Sequence, residues 1–159
     1  MNEKKNLTIE ETFNLAVKNQ KKNNFQVAQN FYKEVLKINP NHFKSIYGLG
    51  ILLAQTKNFV EAEQLFEKAI EIQPSNAMIY NNLGNVFFET GQFQKALTSY
   101  KKAIQIQPNY ATAHFNLGHV LSKLGQLQKA IKSYEKATQI QPNYAIAYND
   151  LGNAFYEIG

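Results

Sequence analysis

The sequence predicts an all-α protein made from one helix pair copied every 34 residues. Three observations carry that expectation. Pro40, Pro74, Pro108 and Pro142 recur at that interval. Gly50, Gly84, Gly118 and Gly152 keep the same register, and Gly91, Gly125 and Gly159 form a second series seven residues beyond the last three of them. Between these residues, apolar side chains recur at intervals of three and four, as amphipathic helices require. A fixed period this long denotes supersecondary units that bury their apolar faces against their neighbours rather than in one central core.

Four full units are expected at 9–42, 43–76, 77–110 and 111–144, followed by a partial unit at 145–159 and preceded by a flexible segment at 1–8. The first unit is irregular: Ala16 stands where later units have glycine, Asn19 replaces a large apolar residue, and Lys21, Lys22, Asn23 and Asn24 make a polar turn. Those features suit a terminal cap with one wetted face. In the clearest unit, Ala77 to Glu89 reads as a first helix, with Tyr80, Leu83, Gly84 and Phe87 on one stripe. Phe93 to Gln105 reads as a second, with Phe93, Ala96, Leu97, Tyr100, Ala103 and Ile104 on its stripe. Gly91 falls between them, where a left-handed residue reverses the chain. Pro108 cannot continue the second helix, and Asn109 is expected to cap the next, as are Asn41, Ser75 and Asn143 in the other units.

The small residues have a packing reason. Gly84, Gly118 and Gly152 remove a side chain where two helices approach closely, and Ala62, Ala96 and Ala130 do so from the facing helix. Ala69, Ala103 and Ala137 form a third small row. Large residues fill the layer between: Phe66, Tyr100 and Tyr134 at one position, and Leu53, Phe87, Leu121 and Phe155 at another. The last unit stops at its turn glycine, leaving Tyr148, Leu151 and Phe155 as an open apolar edge. The native chain is expected to continue there; otherwise that edge contacts another molecule.

Composition narrows the function classes. There is no cysteine, hence no disulfide, thiol chemistry or cysteine-ligated metal. The formal charge of +5 comes from seventeen lysines without a single arginine. Specific nucleic-acid sites lean on arginine's planar fork, so nucleic acid is not the expected partner. No secretory signal and no membrane-spanning run is read, so a cytoplasmic location and no membrane insertion are expected. Of the histidines, His114 takes a core position, and His119 lies five residues on, off its helix face. With one aspartate and scattered glutamates, neither a metal site nor a catalytic constellation is expected, and no cofactor.

The leucine–glycine pairs Leu49–Gly50, Leu83–Gly84, Leu117–Gly118 and Leu151–Gly152, the small Ala96 and Ala130, aromatic Tyr100 and Tyr134, small Ala103 and Ala137, and the closing prolines together resemble the tetratricopeptide repeat family over residues 9 to 159. The resemblance implies a right-handed superhelix whose first helices line a concave groove, with four helix pairs and a fifth first helix. It also implies a non-catalytic module that binds an extended peptide or partner loop. Within the family the chain is similar to the arrays of O-linked N-acetylglucosamine transferase, which carry an asparagine ladder along the groove. The matching positions are Asn14, Gly48, Asn82, Asn116 and Asp150, so the ladder is interrupted at Gly48 and becomes a carboxylate at Asp150. The lysine–arginine clamp by which related receptors hold a terminal carboxylate finds no register here, since Asn81, Ile146 and Asp150 occupy its positions.

The candidate groove residues are Asn14, Tyr47, Asn81, Asn82, Asn85, Phe115, Asn116, His119, Asn149, Asp150 and Asn153. Asparagine offers both a donor and an acceptor, so a row of amides pairs with a peptide main chain without reading its side chains. Phe88, His119 and Tyr156 are placed to tune that binding, and Asn81 and Asn149 to orient neighbouring helices. Three functions stand open: a peptide-binding module, the substrate-recognition arm of a larger transferase, and a scaffold that self-associates through its open C-terminal edge.

Overall fold

The computed structural model describes residues 7–159, and their regular secondary structure is α-helix joined by short turns. Of the expected flexible segment 1–8, residues 1–6 lie outside the described residues, while Thr8 caps the first helix. The helices are α1 (Ile9–Lys21), α2 (Phe25–Ile38), α3 (Phe43–Gln55), α4 (Phe59–Ile72), α5 (Ala77–Glu89), α6 (Phe93–Ile106), α7 (Ala111–Lys123), α8 (Leu127–Ile140) and α9 (Ala145–Ile158). They fall into two compact units, one reaching to Pro74 and the other running from Ser75 to Gly159. Odd-numbered helices are the first members of pairs, and their bounds agree with the expected unit within a residue.

Local chemistry sets the ends. Thr8 and Glu11 form a reciprocal capping box: the Glu11 N–H donates to Thr8 Oγ1 at 3.2 Å, and the Thr8 N–H donates to Glu11 Oε2 at 2.9 Å. The Thr8 backbone and then its hydroxyl hold the Glu11 carboxyl below the usual carboxylate range. Each hairpin turns on one left-handed residue, Asn23 and Lys57 in the first unit and Gly91 and Gly125 in the second. The expected caps shift by one. His42, Asn76, Tyr110 and Tyr144 are the capping positions, and of these only Asn76 caps by its side chain, accepting from the Met78 N–H at 3.2 Å. Asn41, Asn109 and Asn143 sit instead inside proline turns closed by His42 N–H to Asn39 O, Tyr110 N–H to Gln107 O and Tyr144 N–H to Gln141 O. Proline favours the second place of such a turn, which puts asparagine third and the helix start one residue later.

Packing follows the repeat. The alanine rows at 62, 96 and 130 and at 69, 103 and 137 are fully buried, as are the rings of Phe66, Tyr100 and Tyr134. A Cβ at Gly84 would lie 2.5 Å from Tyr100 Cε1, one at Gly50 would lie 3.0 Å from Phe66 Cε1, and one at Gly118 would run into the ring of Tyr134. Those rings therefore require glycine beneath them. A Cβ at Gly152, on the last described helix, would meet nothing within 4 Å. Phe155, expected with the core residues Leu53, Phe87 and Leu121, is accordingly 48% exposed. His114 is half-buried and its Nε2–H donates to Pro108 O at 2.9 Å, which anchors the proline turn to α7. In the first unit, Ala16 is buried and Asn19 serves the turn, donating to Leu15 O at 2.8 Å.

Two outcomes are expected in urea unfolding. Gly118→Ala destabilises by about 1–3 kcal/mol through overpacking against Tyr134. Gly152→Ala gains up to about 1 kcal/mol of helix propensity at an open site. Burial pushes the Tyr32 hydroxyl up to about 12, and it raises Tyr100 and Tyr134 too, aided by Glu89 at the former and by Asp150 and Glu157 at the latter. A raised tyrosine favours the protonated folded state, so its contribution is whole below the unfolded value of about 10 and declines as pH rises beyond it. Thermal melts of Tyr134→Phe, which places at that position the residue found at Phe66, should lose less stability between neutral and strongly alkaline pH than the parent chain.

Candidate functional site

The first helices of the second unit, α5, α7 and α9, bring most of the expected residues together in three columns one repeat apart. The column Asn82, Asn116 and Asp150 is half-buried; the column Asn85, His119 and Asn153 is more open. The third column, Asn81, Phe115 and Asn149, is not a groove surface. Asn81 is 3% exposed, and Phe115 is buried against Tyr134, Tyr144 and His119, with ring centroids 5.8, 5.0 and 4.7 Å away. This side of the first helix meets the next repeat at Asn81 and Phe115, while Asn149 on α9 is exposed. Asn81 and Phe115 are therefore packing residues.

The two groove columns are joined by a rung that repeats. Asn116 Nδ2 donates to Asn85 Oδ1 at 3.0 Å and to the buried Asn81 Oδ1 at 3.0 Å. His119 Nε2–H donates to Asp150 Oδ2 at 2.6 Å. Both Asn85–Asn116 and His119–Asp150 span 31 residues, so the second is the first carried one repeat onward. The second helices support both rungs from below. The Tyr100 hydroxyl donates to Asn85 Oδ1 at 2.9 Å, and Tyr134 meets the edge of the equivalent His119 ring at 6.1 Å. Because burial and carboxylate neighbours raise both tyrosines, their hydroxyls stay protonated donors across the neutral range.

This network orients the amides. Asn85 Oδ1 accepts two hydrogen bonds, which leaves its Nδ2 as the donor the rung does not use. Asn116 spends its Nδ2 on two acceptors, which leaves its Oδ1 as the acceptor the rung does not use. Two clefts flank the pair. One of about 230 Å³ is lined by Asn85, Phe88, Glu89, Tyr100, Asn116 and His119. A larger one of about 320 Å³ extends past Phe88 and His119 to Tyr134, Asp150, Asn153 and Glu157. Tyr134 and Glu157 were not among the expected residues. Glu157 continues the open column by one turn, in register with Glu89 and Lys123, which was a signal available in the sequence.

Three expected residues lie elsewhere. Tyr156 is 91% exposed, away from the cleft. In the first unit Asn14 is exposed, while Tyr47 is half-buried, stacked on Phe43 at 5.9 Å and packed against Phe66 at 6.1 Å, a core-edge position. Gly48 interrupts the amide column for a steric reason: a Cβ there would lie 2.8 Å from Tyr32 Oη. That hydroxyl donates to Gln20 Oε1 at 2.8 Å. Among the described residues no group of three or more histidine or carboxylate side chains converges to hold a metal. No helix among them is long and apolar enough to cross a membrane.

If the rungs are equivalent, Asn116→Asp should cost about 1–3 kcal/mol, because it strips the donor from buried Asn81 Oδ1 and from Asn85. Adding Asn85→His, which rebuilds the histidine–carboxylate rung, should restore part of that loss in urea unfolding.

Comparisons with known proteins agree with this architecture. Models described as "TPR repeat" match residues 84–125 and 120–159, and models described as "Tetratricopeptide repeat" match 65–98, 43–76 and 13–42. No curated protein matches the chain. Among solved structures, one described as "Crystal structure of MamA" is 30% identical with a TM-score of 0.84, covering 91% of this chain and 85% of that one. A second, "Crystal structure of MamA protein", is 29% identical at 0.84, covering 93% and 81%. "Crystal structure of YrrB: a TPR protein with an unusual peptide-binding site" is 25% identical at 0.77, covering 94% and 77%.

Proposed function

The chain belongs to the tetratricopeptide repeat family of protein-interaction modules, and from that premise we propose that the first-helix face of its second unit binds an extended peptide segment through the main chain. The observation that carries this reading is the rung that commits Asn85 Oδ1 and Asn116 Nδ2, which leaves Asn85 Nδ2 as a donor and Asn116 Oδ1 as an acceptor. An extended backbone offers a carbonyl and an N–H in the same alternation, so the pair grips any sequence and leaves selectivity to the flanking clefts. Asn82, half-buried in the column beside them, and Asn153, at the rim of the larger cleft, extend the same surface. The peptide-binding site named for YrrB supports the class of ligand. The absence of arginine argues against nucleic acid as the partner, and the reading assigns the chain no catalytic role; a cytoplasmic setting goes with it as an expectation of the sequence.

The likeness to the arrays of O-linked N-acetylglucosamine transferase, and with it a role as the recognition arm of a larger transferase, stays a proposal resting on Asn82 and Asn116. The departures have local causes, Tyr32 filling the space at Gly48 and His119 pairing with Asp150. Self-association is favoured by a separate observation. Ile146, Tyr148, Phe155 and Ile158 of α9 are all more than 40% exposed, an apolar edge of the kind that associates.

A peptide-array screen of the purified chain beside an Asn85→Ala, Asn116→Ala variant tests the main reading. Hits should weaken about tenfold in the variant, the equivalent of losing one or two hydrogen bonds to the main chain. Hits that bind the variant equally well would place the interaction elsewhere. Sedimentation of the parent chain over a concentration series tests the second: mass that rises with concentration supports self-association, and a constant monomer mass refutes it.

A further inference from the structure

We propose that the cleft bounded by Phe88 of α5, His119 of α7 and Asp150 of α9 takes an arginine side chain from the extended segment held in the groove. This deepens the peptide reading and rests on it. The cleft, about 320 Å³, shares its Phe88–His119 wall with the smaller cleft over Asn85 and Asn116. A segment whose main chain lies on the amide pair therefore has a neighbouring side chain directed past that wall.

The chemistry of the lining selects the side chain. Phe88 and His119 both line the cleft, stacked with ring planes 20° apart and centroids 6.1 Å apart, so their aromatic faces run nearly parallel. Planar cations lie favourably on such faces. Behind them the lining is rich in acceptors. Asp150 uses Oδ2 for His119 and keeps Oδ1, and the Glu157 carboxylate has no hydrogen-bond or ion-pair partner among the described residues. Both carboxylates line the cleft together with Tyr134, whose hydroxyl is raised first by burial and then by these two charges. The one lysine on the lining, Lys123, is exposed at the last turn of α7, where its ammonium complements the helix end. Two carboxylates against one solvated ammonium favour a cation.

Guanidinium fits better than ammonium. It is flat enough to lie on the ring faces while its five donors fork towards two separate carboxylates, which a point-like ammonium does less well. The 159 residues of this sequence include no arginine, so neither a segment among them nor a second copy of them supplies the group.

The test is an NMR titration of the isotope-labelled full chain with four capped five-residue peptides. Their central residue is arginine, lysine, citrulline or glutamate, flanked by serine and glycine. The arginine peptide should shift resonances of Phe88, His119 and Asp150. It should bind about tenfold tighter than the citrulline peptide, the scale of one charge-assisted contact with a cation–π face. That advantage should vanish in Asp150→Asn and shrink in Glu157→Gln, which lies at the exposed end of α9 and leaves the His119 rung intact. Equal binding of arginine and citrulline peptides would overturn the proposal, and loss of both in Asn85→Ala would show that the groove reading survives it. Arginine binding that resists Asn85→Ala but not Asp150→Asn would uphold the cleft and remove the groove reading. A lysine peptide as tight as arginine would overturn the guanidinium assignment. Tighter binding of the glutamate peptide, or no shift at the cleft with any peptide, would overturn the proposal altogether.

Discussion

The groove face depends on a contact made beneath it: an aromatic ring of a second helix seated against the glycine of its partner helix. Tyr100 on Gly84 and Tyr134 on Gly118 leave no room for a β-carbon. The ring's inner end closes the core, and its outer end reaches the groove. Through Tyr100 the same residue that fills the hairpin donates to Asn85, and Asn85 in turn accepts from Asn116 on the next repeat. A packing requirement is thereby converted into the orientation of two surface amides. Buried aromatics gain most when the apolar body is enclosed and the polar tip finds a partner, and both conditions hold here.

That coupling explains why neighbouring repeats differ in chemistry while keeping one geometry. The rung between Asn85 and Asn116 becomes a rung between His119 and Asp150 without any change in spacing. An amide pair gives way to a carboxylate acceptor with an imidazole donor, and the cleft alongside exchanges Asn85 and Asn116 for Asp150, Asn153 and Glu157. In the first unit the equivalent place is emptied at Gly48 and filled by Tyr32, whose hydroxyl binds Gln20 instead. Selectivity in a repeat array resides in such substitutions at fixed addresses, because the scaffold supplies the addresses once per repeat.

The repeat made most of the fold legible in the sequence. Period, helix bounds, glycine seats and alanine rows each recur, so every unit checks the others. What the period does not carry is the rotation of a helix about its axis. Asn81 and Asn82 are adjacent and equally polar, yet one is buried beneath Asn116 while the other belongs to the groove column. Phe115 read as a groove aromatic for the same reason, although the following repeat covers it. The capping asparagines were misplaced by one residue because asparagine satisfies a proline turn as readily as a helix start. The rungs themselves were hidden, since a pairing across 31 residues joins different columns of successive repeats rather than equivalent positions.

The most direct measurement of the coupling between core ring and groove amide is hydrogen exchange at the Asn116 side-chain amide in a Tyr100→Phe variant. Phe66 shows that a ring without a hydroxyl sits on the equivalent glycine, so the variant should fold with its hairpin intact. Removing the hydroxyl should release Asn85 Oδ1, loosen the rung, and speed exchange of the Asn116 amide protons while backbone amides of α5 and α6 keep their protection. Unchanged exchange at Asn116 would show that the amide pair is held without the tyrosine, and the link from core to groove would be wrong.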